Sequence, residues 1–171
     1  MPRVLVTGAG GFIGSHLVEH LVAKGDEVTA LVHYNSTGSF GHLDKNPVLD
    51  HVEIVAGDVR DCDAMRCLTK GFDVIYNLAA LISIPFSYDA PEQFLPVNAG
   101  GVTNLLLAAR ENDFRLVQMS TSEVYGTAQQ MTRMDESHPI HPQSPYAASK
   151  VAADAMCEAF RCAYGVKVSI A

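Results

Sequence analysis

The chain predicts an α/β fold built on a doubly wound parallel sheet, and three observations predict it. Short apolar runs alternate with segments of helical period along the whole length. A glycine-rich turn, Gly8 to Gly14, joins the first apolar run to the first helical segment. The 171 residues are 48 % hydrophobic and 18 % charged, enough for one domain with a real core.

Each element follows from its residues. Arg3–Thr7 is an apolar run ending at glycine, as a strand buried on both faces requires. Phe12–Lys24 places Ile13, Leu17, Val18, Leu21 and Val22 at helical spacing, and Gly25 ends it. Glu27–Val32 and Val52–Ala56 are the second and third strands. Asp61–Lys70 is a short helix with Gly71 after it, and Asp73–Asn77 is the fourth strand. Asn98 is placed as the cap of a helix running through Glu111. Arg115–Met119 is the fifth strand, Pro145–Tyr164 a long helix with proline in its first turn, and Val166–Ile170 the sixth strand. Tyr34–Lys45 and Thr127–Ser144 read as loops, the second because Pro139, Pro142 and Pro145 exclude regular helix.

Composition narrows the partners. A net charge of −7 argues against nucleic acid and against an anionic membrane. No stretch reaches the roughly 20 apolar residues that span a bilayer. The N-terminus enters Val4-Leu5-Val6 at once, so no signal peptide is expected. Cys62, Cys67, Cys157 and Cys162 lack metal-type spacing and read as reduced thiols of a cytoplasmic protein. His138 and His141 sit in a Pro-rich loop without supporting ligands, so no metal is expected.

The glycines at 8, 11 and 14 have a spacing that suits a dinucleotide's pyrophosphate. Gly8 permits positive φ at the strand end, Gly11 leaves the helix N-terminus open to an anion, and Gly14 lets helix and strand approach. Phe12 and Ile13 open that helix. Asp58-Val59 and Leu78-Ala79-Ala80 follow the third and fourth strands, at the sheet edge where ligands bind. After the second strand, His33-Tyr34-Asn35-Ser36-Thr37 has no acid for the adenosine ribose hydroxyls and no Arg or Lys for a 2′-phosphate. Donors at Asn35, Ser36 and Thr37 favour NADP over NAD, with both kept open.

Tyr146 and Lys150 lie four apart on one helix face. An ammonium beside a phenol favours the phenolate, which can take a proton from a substrate hydroxyl. Ser120-Thr121-Ser122-Glu123-Val124-Tyr125-Gly126 follows the fifth strand and places hydroxyls and a carboxylate near that helix.

Together these motifs resemble the extended short-chain dehydrogenase/reductase family, and within it the nucleotide-sugar epimerases and dehydratases. The resemblance covers essentially the whole chain but only the family's cofactor half. It implies one NAD(P)-binding Rossmann domain over residues 1–171, without the family's C-terminal substrate domain. It also implies that Asp58 and Val59 contact adenine, that Lys150 holds the nicotinamide ribose, and that Asn98 and Ser120 join the cofactor site. In the family, a hydroxyl at the place of Thr121 bonds the reacting oxygen, and dehydratases use a Glu at the place of Glu123 to remove a carbon-bound proton. The implied reaction is redox-neutral: hydride leaves sugar C4, Glu123 takes the C5 proton as water leaves C6, and hydride returns to C6. Where many such dehydratases carry a preceding Asp acid, this chain has Ser122. The stretches Ser120–Ala128, Gln143–Lys150 and Leu81–Tyr88 look most like 4,6-dehydratases of the legionaminate type, which act on nucleotide-linked N-acetylhexosamines. A 4-epimerase, a UDP-glucuronate decarboxylase and a silent dinucleotide-binding module are the alternatives. Similar proteins form homodimers through the helices that begin near Asn98 and Tyr146.

Overall fold

The computed structural model describes residues 1–128 and 134–171. Strands β1 (Arg3–Thr7), β2 (Glu27–Val32), β3 (Glu53–Ala56), β4 (Val74–Asn77), β5 (Arg115–Gln118) and β6 (Val168–Ile170) form one six-stranded sheet in the order β3-β2-β1-β4-β5-β6. Every neighbouring pair is parallel. The order reverses between β1 and β4, and at such a reversal the crossing helices part and leave a crevice over the strand C-termini. The expected doubly wound Rossmann-type sheet is therefore present.

Helices α1 (Phe12–Lys24), α2 (Cys62–Leu68), α3 (Ile84–Asp89), α4 (Gly101–Asn112) and α5 (Pro145–Tyr164) cover the two faces. The alternation of a strand's side chains divides the core. Leu5 joins Ile75, Leu105, Leu116 and Phe160 under α4 and α5, whereas Val4 and Val6 pack with Val18 and Leu21 of α1. Leu5, Ile75 and Leu116 are fully buried, each contributing about 2 kcal/mol by burial.

Local chemistry sets the helix ends. Gly25 and Gly165 stop α1 and α5 in the left-handed region, at φ 91° and 68°. The Ser144 hydroxyl accepts the Ala147 N–H at 3.0 Å and Pro145 fills the first turn of α5. Asp61 caps α2 by accepting the Ala64 N–H at 3.0 Å.

Four details differ from expectation. Asn98 does not cap a helix; it lies inside a π-helical turn, Leu95–Gly100, that runs straight into α4. Helix α3 was not expected; its Pro85 sits at the helix start, behind the Ser83 cap. The Tyr34–Lys45 loop ends in a 3₁₀ turn, Gly41–Lys45, and β6 begins at Val168. Part of the Thr127–Ser144 loop lies outside the described residues, and the rest of it holds no helix.

Candidate active site

The glycine turn is shaped by backbone contact. Gly8 has φ +64°, and a Cβ there would lie 2.7 Å from the Ala79 nitrogen. A Cβ on Gly14 would lie 2.3 Å from the Gly8 carbonyl oxygen, so the start of α1 rests directly on the turn. Gly11 is different. Its φ is −74°, and a Cβ would meet only the Gly8 oxygen, at 3.2 Å. No side chain caps α1 and no acid stands in its first turn. Its free N–H groups and the positive end of its dipole are available to an anion. Phe12 and Ile13 are exposed at this end. The residues present thus fit a dinucleotide's pyrophosphate.

Beside the turn, at the switch point, opens a cavity of about 610 Å³. Leu31, Gly57, Ala79 and Ala80 give it apolar walls, and Pro96 and Val97 close one side. Asp58 and Val59 line it, joined by His33 and Arg60. The Asp58 carboxylate grips the Arg60 guanidinium at 2.6 to 3.1 Å and accepts the Arg60 N–H at 2.8 Å. These bonds hold the Asp58 carboxyl below the ordinary aspartate range. The His33 Nε2 lies 3.5 Å from the same carboxylate. The Leu78 N–H bonds the Thr7 carbonyl, which fixes the small-residue segment after β4 over the sheet edge.

Two of the predicted cofactor residues are occupied otherwise. Asn35 donates to the Ser39 carbonyl at 2.7 Å and accepts from Thr37 N–H, Thr37 Oγ1 and Ser39 N–H. It organises its own loop instead of facing a phosphate, and it takes the Thr37 hydroxyl with it. Ser36 is exposed. Asn98, 1 % exposed, spends both amide hydrogens on the Leu81 carbonyl (3.0 Å) and the Ser149 hydroxyl (2.8 Å). Its oxygen accepts the Leu81 N–H at 2.8 Å. Asn98 thus fixes the segment after β4 to α5 rather than reaching a cofactor.

The residues predicted to react come from two elements that pack together, α5 and the turn after β5. Tyr146 is largely buried, with its ring edge-on to Phe94 at 6.4 Å. Lys150 is 4 % exposed and its Nζ donates to the Met119 carbonyl at 2.5 Å. Burial pushes the Lys150 ammonium below the ordinary lysine range, and the Asp154 carboxylate partly opposes this. Thr121 accepts the Glu123 N–H at 3.3 Å and starts a 3₁₀ turn, Ser122–Tyr125, which leaves the Glu123 side chain in solvent. The Ser120 hydroxyl donates to Asp154. His138, expected in solvent, is half-buried with its ring 5.9 Å from that of Tyr125; His141 is exposed.

A buried polar row underlies these residues. Thr7, Asn77 and Gln118 are cross-strand neighbours on β1, β4 and β5. The Thr7 hydroxyl accepts the Ala79 N–H at 3.1 Å and donates to Asn77 Oδ1 at 2.5 Å. Asn77 donates to Gln118 at 2.7 Å, and Gln118 to the Met119 carbonyl at 2.8 Å. Met119 O is also the acceptor of Lys150. Hydrogen bonds therefore run from the glycine-turn side to the lysine. Among the described residues no cluster of His, Cys, Asp or Glu has a metal-binding arrangement. No described helix is long and apolar enough to cross a membrane.

The family model described as GDP-mannose 4,6 dehydratase matches residues 5–171. The chain belongs to this family. Its relatives include the dTDP-glucose 4,6-dehydratase of Mycolicibacterium smegmatis, 36 % identical over 98 % of this chain and 51 % of that protein. The UDP-glucose 4-epimerase of Streptomyces lividans is 38 % identical over 96 % of this chain and 49 % of its own length. Among solved structures, the dTDP-glucose 4,6-dehydratase of Streptomyces venezuelae, with NAD bound, superposes at TM-score 0.90. It is 35 % identical and is matched over 98 % of this chain and 54 % of its own. This member of the GDP-mannose 4,6 dehydratase family thus spans about half the length of the relatives it matches.

Sequence reasoning missed several residues of the site. His33 and Arg60 adjoin predicted residues in the sequence and line the cavity, without a role predicted for either. Asp154 carried a signal, an acid four residues beyond Lys150 on an otherwise apolar helix face. Gln118 and Asn77 were visible as amides at strand ends, but their pairing depends on register across strands far apart in sequence.

Proposed function

We propose that this chain is the cofactor-binding half of a nucleotide-sugar 4,6-dehydratase. The observation that carries the reading is Glu123, solvent-facing on the turn that begins at Thr121, on an element packed against the helix of Tyr146 and Lys150. An epimerase that only removes and returns hydride has no work for that carboxylate.

The residues divide the task. The open N-terminus of α1 over Gly11 holds the pyrophosphate of a nicotinamide dinucleotide, and the cavity lined by Leu31, Asp58 and Ala79 takes its adenine. When bound, the nicotinamide supplies hydride uptake and return. The Lys150 ammonium favours the Tyr146 phenolate, which takes the proton of the sugar C4 hydroxyl. Thr121 donates a hydrogen bond to the same oxygen. Glu123 removes the C5 proton, which the new 4-ketone acidifies, as the C6 hydroxyl leaves as water with a proton drawn from solvent; the proton on Glu123 goes back to C5 as hydride returns to C6.

NAD and NADP are both carried in this reading. The preference for NADP rested on Asn35, Ser36 and Thr37, and the internal bonds of Asn35 and Thr37 leave it with less support. An N-acetylhexosamine as the sugar rests on the loop resemblance alone. A homodimer through α4 and α5 fits the exposed Ala148, Ala155, Ala159 and Ala163 on α5. The free cysteines suit a cytoplasmic setting.

The test is direct. The whole protein is incubated with UDP-, GDP- and dTDP-linked hexoses and N-acetylhexosamines and with UDP-glucuronate, and products are read by mass spectrometry and proton NMR. Loss of one water from one of them supports the dehydratase. Inversion at C4 without loss of mass makes it an epimerase, and loss of carbon dioxide from a uronate makes it a decarboxylase.

A further inference from the structure

One half-buried carboxylate has no part in the chemistry above. Asp154 lies one helical turn beyond Lys150 and two beyond Tyr146 on α5. Its Oδ2 accepts from the Ser120 hydroxyl. Its Oδ1 is shut off from solvent and has no hydrogen-bond partner. A buried carboxylate oxygen without a donor is costly, so a compensating charge must stand close by. The nearest cation along the helix is the Lys150 ammonium, 4 % exposed, held on the Met119 carbonyl and standing one turn back without a direct ion pair of 4 Å or less to Asp154. Each ion alone would be penalised by burial; one turn apart, they offset each other's desolvation.

We propose that Asp154 is a positioning residue, a half-buried counter-charge one helical turn away that holds Lys150 on the Met119 carbonyl as a cation and, through Ser120, ties α5 to the turn carrying Thr121 and Glu123. One carboxylate thereby joins the two elements that supply the reactive groups. The proposal rests on the function above only in giving the ammonium a task beside a nicotinamide.

Other groups do not replace it. On α5 the remaining titratable neighbours are Tyr146 and Cys157, and burial pushes the Cys157 thiol up to about 12, so it stays neutral. Glu123 on the turn after β5 is exposed. Helix α3 brings only the exposed Tyr88 and Asp89, and α4 the exposed Arg110 and Glu111, with Arg110 stacked on Tyr164 at the far end of α5. The Leu95–Gly100 turn and β6 contain no charged residue. The effects have a definite sign. Burial drives the Asp154 carboxyl up and the Lys150 ammonium down, and each partner opposes the shift of the other.

The test follows the two groups by NMR, with lysine labelled at Nζ and aspartate at Cγ. Asp154→Asn keeps the shape and still accepts from Ser120, but carries no charge. In it, Lys150 should lose its proton about one pH unit or more below the wild-type midpoint, while Asp154→Glu stays within about half a unit. Reciprocally, Lys150→Met should raise the midpoint of Asp154 by a similar amount. A folded Asp154→Asn protein with the wild-type lysine midpoint overturns the proposal. If that variant does not fold, an unmoved Asp154 midpoint in Lys150→Met overturns it instead. No turnover or sugar is needed, so a failed dehydratase assay and a failed titration are separate results.

Discussion

The two ends of the site are made of different material. The glycine turn, β1 to α1, works by backbone: carbonyls and N–H groups at fixed places, with side chains kept away by Gly8, Gly11 and Gly14. The reactive end, β5 to α5, works by side chains: a phenol, an ammonium and carboxylates brought together by a helix and a turn. The difference is between shape and titration. Substitutions at the first end should act sterically and be nearly indifferent to pH. Substitutions at the second should leave the fold intact and change the chemistry.

The largest expected effect tests the steric side. Gly14→Val sets a side chain 2.3 Å from a backbone oxygen that cannot move cheaply, and should cost more than about 4 kcal/mol, enough to unfold most of the chain. Urea titration by circular dichroism reads it; a midpoint close to wild type would mean that the turn yields more easily than its contacts indicate.

Next come the chemical variants, in the whole protein. Tyr146→Phe and Glu123→Gln should each lower water loss by about 10²–10⁴ without altering thermal stability. They should differ in one respect. Reduced nicotinamide absorbance should build up with Glu123→Gln and not with Tyr146→Phe, because only the second blocks departure of the C4 hydroxyl proton. Wild-type dehydration by Glu123→Gln would move the reading to an epimerase.

Gly11→Val sharpens the contrast inside the turn itself. The position has ordinary φ and a Cβ would press only on the Gly8 oxygen, at 3.2 Å, so folding should survive at a cost of about 1–2 kcal/mol. Dinucleotide affinity should fall at least about 100-fold, near 2.7 kcal/mol, because the side chain stands where the pyrophosphate must approach. Fluorescence titration measures it, and unchanged affinity would place the pyrophosphate elsewhere. A smaller effect concerns NAD against NADP. With Asn35 and Thr37 bonded within their own loop, their affinities should lie within about tenfold, or ~1.4 kcal/mol. A clear NADP preference would show that the loop opens on binding.

The smallest effect is a pH dependence at the cavity. Asp58 has its pKa lowered from 3.8 by Arg60, so this bond stabilises the folded chain fully above that value and the contribution is lost as pH falls through the lower folded-state pKa. The pair is partly solvated, which limits it to about 1 kcal/mol or less. Arg60→Ala should therefore narrow the stability difference between pH 7 and the acid limb, seen in thermal melts.

What was legible in the sequence follows the same division. The boundaries of β1, α1 and α5 were readable because a glycine, a proline or a capping serine marks each end locally. The triad of glycines and the spacing of Tyr146 and Lys150 needed only short-range counting. Asn98 misled because an amide before a helical pattern usually caps it; here the helix passes through, and the amide is drawn to Leu81 and Ser149, partners set by tertiary packing. The partnership of Asp154 with Ser120 likewise depends on how α5 lies on the sheet, which no local pattern encodes.

The row of Thr7, Asn77 and Gln118 has a consequence for how the molecule assembles. Parallel strands far apart in sequence have little in an apolar interface to distinguish one alignment from the next. Here, sliding β4 by one residue would turn Asn77 to the opposite face, strand the Thr7 hydroxyl and the Gln118 amide in a dry interior, and take the support from the carbonyl that receives Lys150. Misaligned chains would pay for several unmet hydrogen bonds at once. The row thus serves as a checksum on strand alignment, and a chain that passes it has by the same act placed its lysine.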